Sequence, residues 1–196
     1  AGFLTENLLV GVANMKIPAK TECYQLIREM EMMDHIVEHS ARVCQVALLL
    51  VDRLAEAQVF LNRDFVQAAA LLHDITKTRS FTTGEDHAGT GKAFLSLRGY
   101  EEVGGVVGQH VVLDRFSESD PLIEAEVVNY ADKRVLHVNV VSLSERMSYV
   151  MERYGLNRQY QQRIHKTWRE SELLEKKIFQ HFSFAPEAIV EILERG

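Results

Sequence analysis

The stretch Ala68-Ala-Ala-Leu-Leu-His-Asp-Ile-Thr-Lys77 constrains this chain more than any other. Its first half, Ala68 to Leu72, is an apolar run that reads as a buried helix. The run ends in an imidazole and a carboxylate side by side. Neighbours on a helix point about 100° apart, so His73 and Asp74 can share a target only where the helix stops and the backbone turns. A neutral imidazole beside a carboxylate there suits a mixed nitrogen and oxygen metal site. Lys77 adds a cation three residues on, which a phosphate would welcome and a carboxylate could equally pair. The alternative is a cationic His73 closing a helix against its dipole, with Asp74 opening a turn. The rest of the chain decides between these readings.

The prolines stand at 18, 121 and 186, leaving long uninterrupted segments that favour helices. A length of 196 residues, with 46% hydrophobic and 26% charged residues, fits one domain with a sizeable core. No apolar run reaches the ~18 residues of a membrane span. Phe3 to Val12 is too short and too polar for a signal peptide. Cys23 and Cys44 fall on apolar helix faces and read as buried free thiols, which predicts a reducing, cytoplasmic setting. A net charge of -6 argues against an extended nucleic-acid surface, but not against a small phosphate ester in a locally basic pocket. Oligomerisation is left open.

Residues 1–19 read as an irregular N-terminal arm. A first helix should begin near Thr21 as its cap, with a stripe of Cys23, Leu26, Ile27 and Met30. Asp34 reads as the next cap, before a helix from Ile36 to about Ala57 that faces Val43, Val46, Ala47, Leu50 and Leu54 inward. His39 shares that inner stripe; His35, one turn earlier, should be solvated. Asn62 or Asp64 caps the helix that delivers His73 and Asp74. Residues 79–86 look like a polar turn, and His87 opens a helix over 88–98, ended by Gly99. A helix from Glu101 to His110 contains Gly104 and Gly108 on one face, which predicts close backbone approach to a neighbour. A strand through Val106–Val112 is the rival reading. Asp120-Pro121 signals another helix start, running to Asp132. Val135–Val141 should be extended. Ser142-Leu-Ser-Glu145 is a capping box for a helix to Tyr154. A long helix over 158–182 buries Ile164, Trp168, Leu174 and Ile178, and a short helix follows Pro186. No repeat or low-complexity segment interrupts this order, so the class is all-α.

Six candidate ligands sit at helix ends or inner faces: His39, His73, Asp74, His87, His110 and Asp132. Four imidazoles and two carboxylates could hold two metals, with Asp74 suited to bridge. Two ions ~3.5–4 Å apart would make hydroxide available near neutral pH and clamp a phosphoryl oxygen. With one ion, His39, His73, Asp74 and Asp132 bind it, while His87 and His110 act as acid, base or phosphate donors.

The pattern His39 … His73-Asp74 … Asp132 resembles the HD-domain metal-dependent phosphohydrolases. The His-Asp-Ile-Thr stretch is similar to that family's His-Asp-Ile-Gly subgroup, with Thr76 in place of the glycine. Glu38-His39-Ser-Ala-Arg-Val43 is similar to its first ligand helix, and Asn129-Tyr-Ala-Asp132-Lys133 to its last ligand site. The additional His87 and His110 resemble its dinuclear members. The resemblance covers roughly 20–155, read as an HD domain, with 156–196 as C-terminal helices packed on it. It implies an α-helical bundle around a central metal site and hydrolysis of a phosphate ester or anhydride by metal-activated water. Asp74, Lys77, His87 and His110 are then the catalytic candidates. The ligand set would hold one or two divalent ions, iron or manganese first, with nickel, cobalt, zinc or magnesium also compatible. The expected substrate is a small phosphorylated, nucleotide-like molecule. A regulatory module that binds such a nucleotide without turnover is the alternative.

Other residues carry weaker readings. Arg79, Lys92, Arg115, Lys133 and Arg134 could form a basic rim, though each alone reads as solvated surface. Asp114 could orient a ligand histidine, but a turn role suits it better. His137, His165 and His181 read as surface or hydrogen-bonded residues. Gly84 to Lys92 fails as a P-loop: position 86 is Asp, and Ala93 follows the lysine. There is no His-Glu-x-x-His, Cys-x-x-Cys or Gly-x-Ser-x-Gly motif.

Overall fold

The centre of the molecule is the buried C-terminal half of a short, alanine-rich helix. In the computed structural model, which describes residues 15–195, this helix is α3 (Arg63–Leu72), preceded by α1 (Lys20–Glu29) and α2 (Asp34–Glu56). Every residue from Ala68 to Leu72 is buried. Three consecutive alanines bring neighbouring helices close, and a helix apolar on every face must sit inside a core. α1, α2, α6 (Glu101–Val107) and α7 (Glu124–Lys133) pack around it. Between them lie α4 (Lys77–Thr83) and α5 (His87–Leu97). After α7 come a two-stranded antiparallel hairpin, β1 (Val135–Leu136) and β2 (Asn139–Val140), then α8 (Leu143–Tyr154), α9 (Arg158–Phe179) and α10 (Ile189–Arg195). The all-α class is therefore what the chain adopts. No helix among the described residues is long and apolar enough to cross a membrane. Most of the proposed arm, and the Phe3–Val12 reading with it, lies outside the described residues.

The helix starts show where local signals yield to distant ones. Asn62 caps α3 as expected, its side chain accepting from the Phe65 N–H at 3.1 Å. Ser142 and Glu145 form the expected capping box of α8. Thr21 does not cap α1: the helix begins at Lys20, and the Glu22 carboxylate takes the Ala19 N–H at 2.8 Å. Asp34 lies inside α2 rather than capping it. The Met33 N–H donates instead to the Thr78 hydroxyl at 3.0 Å, a partner 45 residues away. The helix expected from Asp120-Pro121 begins at Glu124. Glu126 accepts the Ile123 N–H at 3.2 Å and also receives Lys177 from α9 at 2.7 Å. That buried pair holds the preceding segment extended.

Part of the polar stretch 79–86 is helical, with the Ser80 and Thr82 hydroxyls donating back to the Lys77 and Arg79 carbonyls and no residue of α4 buried. Gly84 ends α4 in the left-handed region, at φ 69°. α6 stops at Val107, short of His110, and the rival strand is not formed. A β-carbon on Gly104 would lie 2.8 Å from the Lys92 carbonyl oxygen, so the expected close approach joins α5 and α6. α5 buries Ala88, Gly91 and Leu95, while Leu97 is exposed. Trp168 is only half-buried on α9; Leu174 and Ile178 form its buried side.

Candidate metal centre

Four elements and two turns deliver the six candidate ligands to one place. His39 is on the inner face of α2. His73 ends α3 and Asp74 follows in the turn. His87 opens α5, His110 lies in the turn after α6, and Asp132 is near the end of α7. All are buried except His87, whose side chain is about a quarter exposed. Ligand atoms of His39, His73 and Asp74 lie within 4.8 Å of one another, and so do those of Asp74, His87 and His110. Asp74 is common to both groups. Its Oδ2 is 3.4 Å from His73 Nε2 and its Oδ1 is 3.3 Å from His87 Nε2 and 3.5 Å from His110 Nε2. Asp132 Oδ1 lies 3.1 Å from His39 Nε2 and 3.6 Å from His73 Nε2.

The hydrogen bonds behind these rings fix which nitrogen faces inward. His39 Nδ1 donates to the His137 carbonyl at 2.8 Å, His73 Nδ1 to the Ala70 carbonyl at 2.8 Å, and His110 Nδ1 to the Val107 carbonyl at 2.7 Å. With Nδ1 carrying the proton, each Nε2 presents a lone pair to the centre, the arrangement of metal-bound histidines. His73 Nε2 and Asp74 Oδ1 are buried with no hydrogen-bond partner. A lone pair facing anionic oxygen across 3.4 Å requires a positive charge between them. The donor set therefore fits divalent metal.

The ionisation equilibria express the same demand. Burial alone would lower the His73 pKa, but the Asp74 and Asp132 carboxylates reverse this and carry it up to about 10. Burial would raise Asp74 and Asp132, yet both are held well below the usual carboxylate range. Charged His73 outweighs it for Asp74, and the adjoining His39 and His73 rings outweigh it for Asp132. His110 is lowered, chiefly by burial, and stays neutral.

Several positioning groups escape a reading based on side-chain type. His137 contributes its carbonyl, held at φ 56° in the tight β1–β2 turn, and Arg42 Nε donates to the adjacent Val138 carbonyl at 3.0 Å. Thr76, at φ -105°, needs no glycine, and its hydroxyl donates to the His87 carbonyl at 2.8 Å. Asn129 Nδ2 donates to the Gln109 and His110 carbonyls at 2.8 and 3.0 Å, fixing the turn that bears His110. The motif around Asp132 is the only prior signal for Asn129. Backbone carbonyls leave none.

Lys77 Nζ reaches Asp74 Oδ2 at 2.8 Å. Of the suggested basic rim, Arg79 pairs with Glu85 and Arg115 with Asp120, and Arg134 is buried against Tyr130 and Glu175. Lys133 is not solvated surface: it is buried and lines a cavity beside the ligands. Asp114 is exposed and His35 is solvated, as expected. The cavity has a volume of about 540 Å³ and reaches His87, His110 and Asp132.

A buried cluster of histidines and aspartates at the centre of a helical bundle defines a metal-binding class of protein. The HD-domain family model matches residues 36–135, and the chain belongs to that family. It is 33% identical over 122 residues to the dihydroneopterin 2',3'-cyclic phosphate phosphodiesterase of Methanocaldococcus jannaschii, covering 55% of this chain and 49% of that protein. It is 27% identical over 144 residues to the tRNA (cytidine(56)-2'-O)-methyltransferase of Picrophilus torridus, covering 67% of this chain and 40% of that protein. The chain thus spans half or less of the length of these curated relatives. No solved structure matches it.

Proposed function

We propose that this chain is a metal-dependent phosphohydrolase acting on a phosphate ester or anhydride of a small, nucleotide-like molecule. One observation carries the reading: Asp74 is shared by two groups of ligands whose lone pairs converge without a buried hydrogen-bond partner for His73 Nε2 or Asp74 Oδ1. The 33% identical phosphodiesterase supports phosphate ester chemistry and a small substrate.

In this reading His39, His73, Asp74 and Asp132 hold one divalent ion, and Asp74, His87 and His110 a second. The bound metal supplies Lewis acidity and a water that ionises near neutral pH. The protein's own groups do the rest. Nδ1–H bonds to backbone carbonyls keep His39, His73 and His110 in the ligating tautomer. Lys77, paired with Asp74, lines the cavity and balances negative charge where a phosphoryl oxygen enters. His87, the most exposed ligand, lines the cavity.

The test is elemental analysis of purified protein, followed by chelation, reloading with iron, manganese, cobalt or nickel, and hydrolysis of bis-p-nitrophenyl phosphate and a nucleotide panel. Hydrolysis that disappears with the metal and returns on reloading supports the proposal. Ligand-induced thermal shifts without product release, in fully loaded protein, would replace it with the regulatory reading.

A further inference from the structure

The cavity beside the ligands has an unusual charge balance. Lys77, Lys133, Arg146 and Arg163 line it, against Asp132 as the acidic lining residue. Lys77 is paired with Asp74. Lys133 Nζ meets neutral acceptors: the His110 carbonyl at 3.2 Å, the Asn129 carbonyl at 3.4 Å and Asn129 Oδ1 at 2.7 Å. Arg146 is more exceptional. Its Nε is buried and makes no hydrogen bond, and no carboxylate among the described residues pairs with its guanidinium. It also stands close enough to Lys77 and Lys133 to repel both. Like charges gathered round one cavity, one with a buried donor unused, leave an anion's place open.

The same cavity also has exposed apolar lining. Phe81 on α4, Val112 after α6 and Tyr154 at the end of α8 line it, and each is more than half exposed. Exposed apolar side chains lining a cavity that also carries cations suit a ligand with an apolar face. Arg146 and Tyr154 both belong to α8, beyond the matched family segment 36–135. The cavity wall thus combines residues of the segment that holds the ligands with residues of α8 beyond it.

We infer that Arg146 forms a phosphate-oxygen subsite, with Lys133 adding only its charge nearby, and that Phe81, Val112 and Tyr154 cover a planar aromatic group on the same ligand. The substrate class is therefore a phosphate ester that also carries a planar aromatic or heteroaromatic group, in preference to a plain sugar phosphate or an inorganic polyphosphate. This deepens the hydrolase reading and rests on it for the chemistry, though the binding it describes can be measured alone. The planar guanidinium of Arg146 can hold two oxygens at once, which a lysine cannot reproduce.

The experiment is calorimetric titration of the metal-loaded chain with phenyl phosphate and with inorganic phosphate. Wild type should bind phenyl phosphate at least about tenfold more tightly. Arg146→Gln should weaken both probes by about tenfold to a hundredfold, the range of a charge-assisted hydrogen bond, and Arg146→Lys should recover part of the loss. Tyr154→Ala should weaken phenyl phosphate and leave inorganic phosphate unchanged. Equal affinity of Arg146→Gln and wild type for both probes would overturn the subsite. So would wild-type protein that binds neither probe. Should Arg146→Gln fail to fold, Arg146→Lys with fully wild-type affinity for both probes would overturn it equally. Equal wild-type affinity for the two probes, untouched by Tyr154→Ala, would overturn the aromatic assignment. Arg146-dependent binding in a chain that hydrolyses nothing would sink the hydrolase reading and leave this one standing.

Discussion

On the proposed two-metal reading, replacing Asp74 by asparagine should empty both positions at once. The two Asp74 oxygens lie 3.3 to 4.0 Å from the Nε2 atoms of His39, His73, His87 and His110. A unit pair ~4 Å apart at an effective dielectric of ~20 attracts by about 4 kcal/mol, so a divalent ion near Asp74 gains about 8 kcal/mol from its charge. The amide oxygen and relaxed water recover part of that. A residual loss of about 4 kcal/mol is roughly a thousandfold in Kd. The substitution conserves shape, and Lys77, left without its carboxylate, is exposed enough to reach water. The fold should therefore survive, which circular dichroism and Tm in chelator would check. His87→Ala is the control, because His87 belongs to only one ligand group. Elemental analysis after gel filtration should find no tightly bound metal in Asp74→Asn and about one equivalent in His87→Ala. A folded Asp74→Asn protein retaining wild-type metal content would refute the bridging role. Equal metal loss in the two variants would refute the separation into two positions.

Three further outcomes follow from packing and burial. Gly104→Ala should destabilise the fold by about 1–3 kcal/mol, because the new methyl meets the Lys92 backbone oxygen. Gly105→Ala, with open space around it, should stabilise by about 1 kcal/mol, and urea unfolding of both variants decides. Glu126→Gln leaves Lys177 with backbone acceptors but no counter-charge, in a pair whose side chains are both 3% exposed. It should cost about 3–5 kcal/mol, or about 6–20 °C in Tm, whereas an unchanged Tm would mean that the pair is immaterial. Burial pushes the Cys23 thiol up to about 12 and Cys44 up to about 11. Unfolded thiols ionise near 9, so above that pH the unfolded state binds fewer protons and stability falls. Chemical denaturation between pH 8 and pH 11 should show this decline, and Cys23→Ala with Cys44→Ala should reduce it.

What the sequence alone determined was the set of regular elements and the chemistry they could carry. Apolar spacing in α2 put His39 on the same face as Val43 and Val46, and that face is buried because nothing else can cover it. The run from Ala68 to Leu72 required burial on every side, so the residues ending it had to lie near the core. Tertiary structure decided the partners. Asp74 lies between two ligand groups only because the turns after α3 and α6 meet the start of α5. The His137 carbonyl orients His39 across 98 residues of chain, and Lys177 reaches Glu126 across 51. The same distant bonding moved the start of α7 to Glu124, and packing put Lys133 inside. Periodicity reports which face of an element avoids water, since that depends on neighbours one turn away. A hydrogen bond or ion pair between remote segments depends on where folding brings them, and no local pattern encodes it.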